Sequence, residues 1–136
     1  MSAVTELIRT EADGTLSFGN HTLAEKTKLE DFVNEGNLYK VKTFKEITKL
    51  ERDGVFVYES VPGTSVNNFS ATKDGVIFTV SGNEDAMITI GLCEDTEYNV
   101  SVGGKEIGRM KTNLGGKLNI SVELEGEGEV QVKVGK

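Results

Sequence analysis

From Val76 to Val134 the chain alternates apolar and polar residues with a period of two, and that alternation leaves few folds open. Val76, Phe78 and Val80 share one parity, as do Ala86, Ile88, Ile90 and Leu92, then Tyr98, Val100 and Val102. Leu118, Ile120, Val122 and Leu124 follow, and Val130, Val132 and Val134 close the series. Positions of opposite parity are polar, among them Thr79, Thr89, Asn99, Asn119, Ser121, Gln131 and Lys133. Successive side chains of a strand point to opposite faces, so each segment offers one dry face and one wet face. A wet outer face excludes a parallel sheet covered on both sides and predicts antiparallel sheets stacked face to face. Asp74-Gly75, Gly82-Asn83, Gly103-Gly104 and Gly115-Gly116 fall between the runs, where Gly and Asn supply positive φ, and they predict hairpins.

The first half is less regular. Ala3 to Arg9 and Thr15 to Phe18 can pair through the turn Ala12-Asp13-Gly14. Residues 23–33 fit either a helix, since Thr22 and Glu25 have capping-box spacing, or the first arm of a hairpin running Leu29 to Glu35 and returning through Gly36-Asn37 into Leu38 to Lys42. The hairpin is the favoured reading. Thr43 with Glu46 three residues on, Phe44, Ile47 and Leu50 at helical spacing, and Gly54 as a stop predict one short helix near 44–53. Val55 to Tyr58 reads as a buried strand. Val61-Pro62-Gly63-Thr64 reads as a type II turn and divides the chain into an N-terminal β-rich segment, 1–62, and a C-terminal sandwich, 63–136.

A chain of 136 residues can bury a core without disulfides, and its single cysteine, Cys93, has no internal partner. Net charge is −7, spread evenly over the two halves, which disfavours nucleic acid and anionic membranes as partners. No charged-then-apolar leader follows Met1 and no apolar run approaches the ~20 residues that span a bilayer, so a cytoplasmic location is expected.

The inventory of chemistry is thin. His21 is the only histidine, with no local nucleophile or second acid, and is expected at the surface. Cys93 stands beside Glu94 and Asp95, which disfavour a thiolate, so a partly exposed, unreactive thiol is expected. Glu94, Asp95 and Glu97, and the alternating Glu123, Glu125, Glu127 and Glu129, lie in rows rather than converging as calcium or a glycosidase pair requires, and read as a solvated, charged sheet edge. The Gly-Gly-Lys triplets at 103–105 and 115–117 lack the Ser or Thr and the helix of a phosphate loop, and read as hairpin turns. There is no Trp, and Tyr39, Tyr58 and Tyr98 can be absorbed by a core rather than stack on sugars. The Asn-x-Ser/Thr sequons at Asn20, Asn68, Asn99 and Asn119 matter only in a secretory pathway. No catalytic, cofactor-binding or metal-ligating residues are assigned, and no cofactor is expected.

Leu92-Cys93-Glu94-Asp95-Thr96-Glu97-Tyr98-Asn99-Val100-Ser101-Val102 resembles the corner of fibronectin type III and related immunoglobulin-like sandwiches, in which a Tyr entering a strand bonds back to the preceding turn. The stretch from Val102-Gly103-Gly104-Lys105 through Gly116-Lys117-Leu118 is similar to end modules of bacterial polysaccharide-degrading enzymes. Over nearly its whole length the chain also resembles a family of short bacterial proteins labelled endosialidase. That resemblance carries no catalytic residue, because endosialidases are large propellers whose arginines grip the sialic carboxylate. Here Arg9, Arg52 and Arg109 are scattered, and six four-stranded blades need about 24 strands.

The fold expected is mostly β, an antiparallel immunoglobulin-like β-sandwich preceded by a β-rich segment with one short helix. The function expected is that of a non-enzymatic interaction or assembly protein with a protein partner or self-association into a homo-oligomer. A carbohydrate-binding or endosialidase-related carbohydrate-processing protein is the alternative, and a phage-derived or surface-appendage component a further one.

Overall fold

The computed structural model describes residues 3–136. Thirteen strands form among them: β1 (Ile8–Thr10), β2 (Leu16–Phe18), β3 (Thr27–Asn34), β4 (Asn37–Phe44), β5 (Ile47–Arg52), β6 (Val55–Val61), β7 (Ser65–Thr72), β8 (Gly75–Ser81), β9 (Ala86–Gly91), β10 (Glu97–Val102), β11 (Lys105–Lys111), β12 (Lys117–Val122) and β13 (Glu129–Gly135). They build a seven-stranded sheet in the order β1-β2-β7-β8-β13-β10-β11 and a six-stranded sheet in the order β12-β9-β6-β5-β4-β3. Every pairing is antiparallel.

The period-two stripes line the interior between the sheets. Phe78, Val80, Ile88, Ile90, Val100, Leu118, Ile120, Val122, Leu124, Val132 and Val134 are all buried, and one apolar cluster joins them to Phe18, Val41, Leu50 and Tyr58 from the first half. Segments 1–62 and 63–136 therefore do not separate in the fold. β2 pairs with β7 and β6 with β9, so each half contributes strands to both sheets. The link at Pro62 is a crossover between sheets, and Gly63 does not take the positive φ of a type II turn.

No helix forms among the described residues, and the segment 44–53 is hairpin instead. Phe44 ends β4 opposite Ile47, the first residue of β5. The helical spacing of Phe44, Ile47 and Leu50 coexists with a strand pattern: Val41, Thr43, Thr48 and Leu50 are buried, while lysines and Glu51 occupy the other parity. Two turns of helix cannot bury that stripe as well as a paired strand does. Asp53 (φ 51°) and Gly54 (φ 80°) both have the positive φ of a type I′ hairpin turn, so Gly54 reverses a strand rather than stopping a helix. Glu35 (φ 49°) and Gly36 (φ 82°) do the same between β3 and β4, and the hairpin reading of that region holds with the turn one residue earlier than expected.

Two of the four glycine turns expected as hairpins are something else. Gly103-Gly104 joins β10 to β11 and Asp74 lies in the β7–β8 turn, but Gly82-Asn83 and Gly115-Gly116 carry the chain from one sheet to the other. Bulges at Asp31 (φ 60°) in β3 and Asn68 (φ 56°) in β7 shift the pairing register, and this is why alternation is harder to follow before residue 76.

A hydroxyl network ties the 62–64 crossover to β4, β5 and β6 of the six-stranded sheet. Thr48 Oγ1 donates to the Thr64 carbonyl (2.7 Å) and accepts from the Thr64 N–H (3.1 Å). Tyr58 Oη and Ser60 Oγ each lie 2.8 Å from Thr64 Oγ1, and Thr43 Oγ1 lies 2.9 Å from Thr48 Oγ1. All of these residues are buried, so each hydroxyl needs such a partner.

Candidate functional site

The strands end in two sets of loops, one at each end of the sandwich. At the end that holds the β5–β6 and β7–β8 turns and the 112–116 crossover, the two sheets part around a groove of about 510 Å³, within the range that small-molecule and peptide-side-chain sites occupy. Its apolar lining comes from both sheets: Val55, Phe56 and Val57 of β6, Val76 of β8, Leu92 beyond β9 and Tyr98 of β10. Its charged lining is Arg52, Lys73 and Lys117, and no carboxylate lines it.

Each cation is placed by a turn. Arg52 ends β5 beside Asp53-Gly54, Lys73 precedes Asp74-Gly75, and Lys117 follows Gly115-Gly116. Lys117 Nζ sits 4.7 Å from the centroid of the Phe56 ring, so its charge is steered by a π face. The ion pairs formed among the described residues engage Arg9, Lys28, Lys40, Lys49, Arg109 and Lys111, and none takes a groove cation. Two neighbouring carboxylates have other partners: Asp53 accepts a hydrogen bond from the Leu38 N–H (2.9 Å), and Asp95 pairs with Lys111 (3.2 Å).

The floor is held by backbone packing. Gly91 lies so close to β6 that a Cβ there would stand 2.5 Å from the Phe56 carbonyl oxygen. The Cys93 N–H donates to Tyr98 Oη (3.2 Å), the bond back to the preceding turn that the corner motif predicts. Burial pushes the Tyr98 phenol above its ordinary pKa, so it stays a neutral hydrogen-bonding group. The Cys93 thiol is free and exposed at the groove, as expected of a partly exposed cysteine, and it gives the groove a single chemical reporter. A smaller groove of about 230 Å³ adjoins this one, sharing Arg52, Ala71 and Thr72, and is lined by Asp13, Glu35 and Tyr39.

At the opposite end His21 departs from expectation. It is only 3% exposed, because Gly19 (φ 94°) turns the chain inward after β2 and carries His21 against β7. Its Nδ1 lies 2.7 Å from Ser65 Oγ, and Nε2 is buried with no hydrogen-bond partner among the described residues. This is a nucleophile-and-base pairing in name only: Ser65 is itself fully buried, and the adjoining hollow is about 40 Å³. Burial lowers the His21 pKa below 6.5. An unfolded chain therefore binds a proton that the folded chain refuses, and the stability held above pH 6.5 is lost as the pH falls from there through the lowered folded value. The chain has no second histidine. Urea denaturation at pH 7.5 and pH 5.5 should show the wild-type protein weaker at the lower pH, and His21→Gln equally stable at both.

Of the other residues singled out by sequence, Tyr39, Tyr58 and Tyr98 are in the core. Glu123, Glu125, Glu127 and Glu129 are exposed, at and beyond the end of edge strand β12. Arg9, Arg52 and Arg109 are not brought together: Arg9 of β1 pairs with Glu6 and Glu11, and Arg109 of β11 with Glu97 of β10, β1 and β11 being opposite edges of one sheet. What sequence reading missed was the groove. The available signal was that Arg52, Lys73 and Lys117 each flank a glycine-containing turn, but assigning those turns to one end of the sandwich requires the strand order. Comparison with family models, curated proteins and solved structures returns no match to this chain.

Proposed function

We propose that the protein is a non-enzymatic interaction module of immunoglobulin-like type that receives an acidic partner in the groove at one end of the sandwich. The observation carrying this reading is the charge of the lining: three cations and no carboxylate in a chain of net charge −7. An unpaired cation over an apolar floor attracts a carboxylate more strongly than an exposed surface lysine does, because the walls exclude part of the solvent. The bond between Tyr98 and the Cys93 N–H supports the immunoglobulin-like assignment, since it reproduces the corner of those sandwiches.

An acidic glycan is the second reading, favoured by the same three cations. Neutral sugars fit less well, because the Phe56 ring is capped by Lys117 rather than left bare for stacking.

Cys93 provides the test. A hexaglutamate peptide and an oligosialic acid are titrated against the intact protein while the rate of Cys93 alkylation is followed. Occupancy should slow alkylation, and Lys73→Glu with Lys117→Glu should weaken the protecting probe by about tenfold, the sum of two ion pairs of roughly 0.7 kcal/mol. Protection by the peptide alone supports a protein partner and protection by the glycan alone the second reading. Alkylation unaffected by either probe would sink both.

A further inference from the structure

The acidic partner that the groove receives is, we infer, a second copy of this chain, docked head to tail through its β12–β13 loop. This inference rests on the reading of the groove as an acceptor of acidic groups. β12 begins in the groove at Lys117 and ends at Val122, so the loop it feeds, residues 123–128, lies at the far end of the sandwich. A six-residue strand spans about 20 Å, so this loop cannot reach the groove of its own copy. It can reach the groove of the next.

The loop is shaped for insertion. Its root is fixed, because Asp85 Oδ1 accepts hydrogen bonds from the Leu124 N–H (2.9 Å) and the Glu125 N–H (3.1 Å), and Leu124 is buried. Beyond the root, Glu125-Gly126-Glu127-Gly128 contains no apolar side chain, no cation and two residues without side chains, and the loop's three carboxylates, Glu123, Glu125 and Glu127, are exposed. None of the three takes part in the ion pairs of the described residues. Three unpaired carboxylates on a narrow loop at one end thus complement three unpaired cations around a groove at the other. Because donor and acceptor surfaces differ, the contact is heterologous and repeats in one direction, giving an open filament or a closed ring rather than a two-fold dimer. At physiological salt the Debye length is about 8 Å, so the close pairs of the contact outweigh the repulsion between two distant net charges.

Sedimentation equilibrium of the full chain between about 10 μM and 1 mM, at 0.15 M and 0.5 M NaCl, tests the inference. The wild-type protein should show a mass that rises with concentration and falls back towards the monomer at high salt. Glu125→Lys with Glu127→Lys, and separately Lys73→Glu with Lys117→Glu, should each weaken association by about tenfold. Mixing the two variants should restore it, since the basic tip of one then meets the acidic groove of the other. The tip variant also lowers the net negative charge, so a pure net-charge effect would strengthen its association, whereas docking requires the loss. A wild-type monomer at 1 mM, a tip variant that associates like the wild type, or a mixture that stays monomeric overturns the inference. If hexaglutamate nonetheless protects Cys93, the groove still accepts acidic partners and only the second copy is excluded as the occupant.

Discussion

Tyr58→Ala should lose about 4 kcal/mol of folding stability, a large share of the 5–15 kcal/mol that holds a domain of this size together. Tyr58 stands on β6 of the six-stranded sheet, and its ring meets three aromatic rings of the facing sheet edge-on: Phe18 at 5.2 Å, Phe78 at 5.6 Å and Phe69 at 6.4 Å. Truncation removes the central ring of that cluster and leaves a cavity that the surrounding strands cannot collapse into without breaking ladder bonds. The same side chain ends in the hydroxyl network, with Tyr58 Oη 2.8 Å from Thr64 Oγ1. Tyr58→Phe separates the two contributions. It keeps the ring, and Thr64 Oγ1 retains Ser60 as a partner, so the loss should be about 1 kcal/mol. Urea denaturation followed by far-ultraviolet circular dichroism measures both. Equal losses for the two variants would show that the ring cluster is not what joins the sheets here.

That cluster also marks how far the sequence is legible. The stripe from Val76 to Val134 announces which residues face inward, because in that stretch almost every strand keeps strict parity and polar residues fill the other face. Phe18, Tyr58 and Phe69 sit in segments where parity is broken, by the bulge at Asn68 and by register shifts between β5 and β6 and between β2 and β7. Each bulge inserts a residue and exchanges inside for outside, so counting residues along the chain loses phase. The misread helix has a different cause. Thr43, Glu46 and Gly54 satisfy a local rule for helix ends, whereas the pairing of β4 with β5 is decided by burial of Val41 and Leu50 against the facing seven-stranded sheet, most of whose strands come later in the chain. His21 was invisible for a related reason: its burial depends on Ser65, a partner forty-four positions along the chain. The groove is the extreme case, since Arg52, Lys73 and Lys117 come from three turns of two sheets and acquire a common meaning only when the sheets stack.

Gly63→Ala should be a severely damaging substitution, costing about 3 kcal/mol or more, although it adds one methyl group to a crossover. A Cβ at Gly63 would stand 1.9 Å from the Phe44 carbonyl oxygen and 3.1 Å from its carbon. A flexible side chain could swing away from such an intrusion, but these atoms belong to the backbone at the end of β4. The crossover and the β4–β5 turn must therefore move apart. That movement breaks the bond from the Gly63 N–H to the Lys45 carbonyl (3.0 Å) and draws Thr64 away from Thr48, whose hydroxyl both donates to and accepts from it. Buried groups then lose their partners, and the penalty of an unmade hydrogen bond adds to that of the clash. Gly36→Ala is the control. Gly36 holds a φ of 82°, which disfavours alanine by about 1 kcal/mol, but nothing lies within 4 Å of the added atom. Urea midpoints for the two variants should differ by at least the equivalent of about 2 kcal/mol, with Gly63→Ala the weaker. If they coincide, backbone conformation alone governs both sites, and the close approach of the crossover to β4 is not holding the two sheets in register.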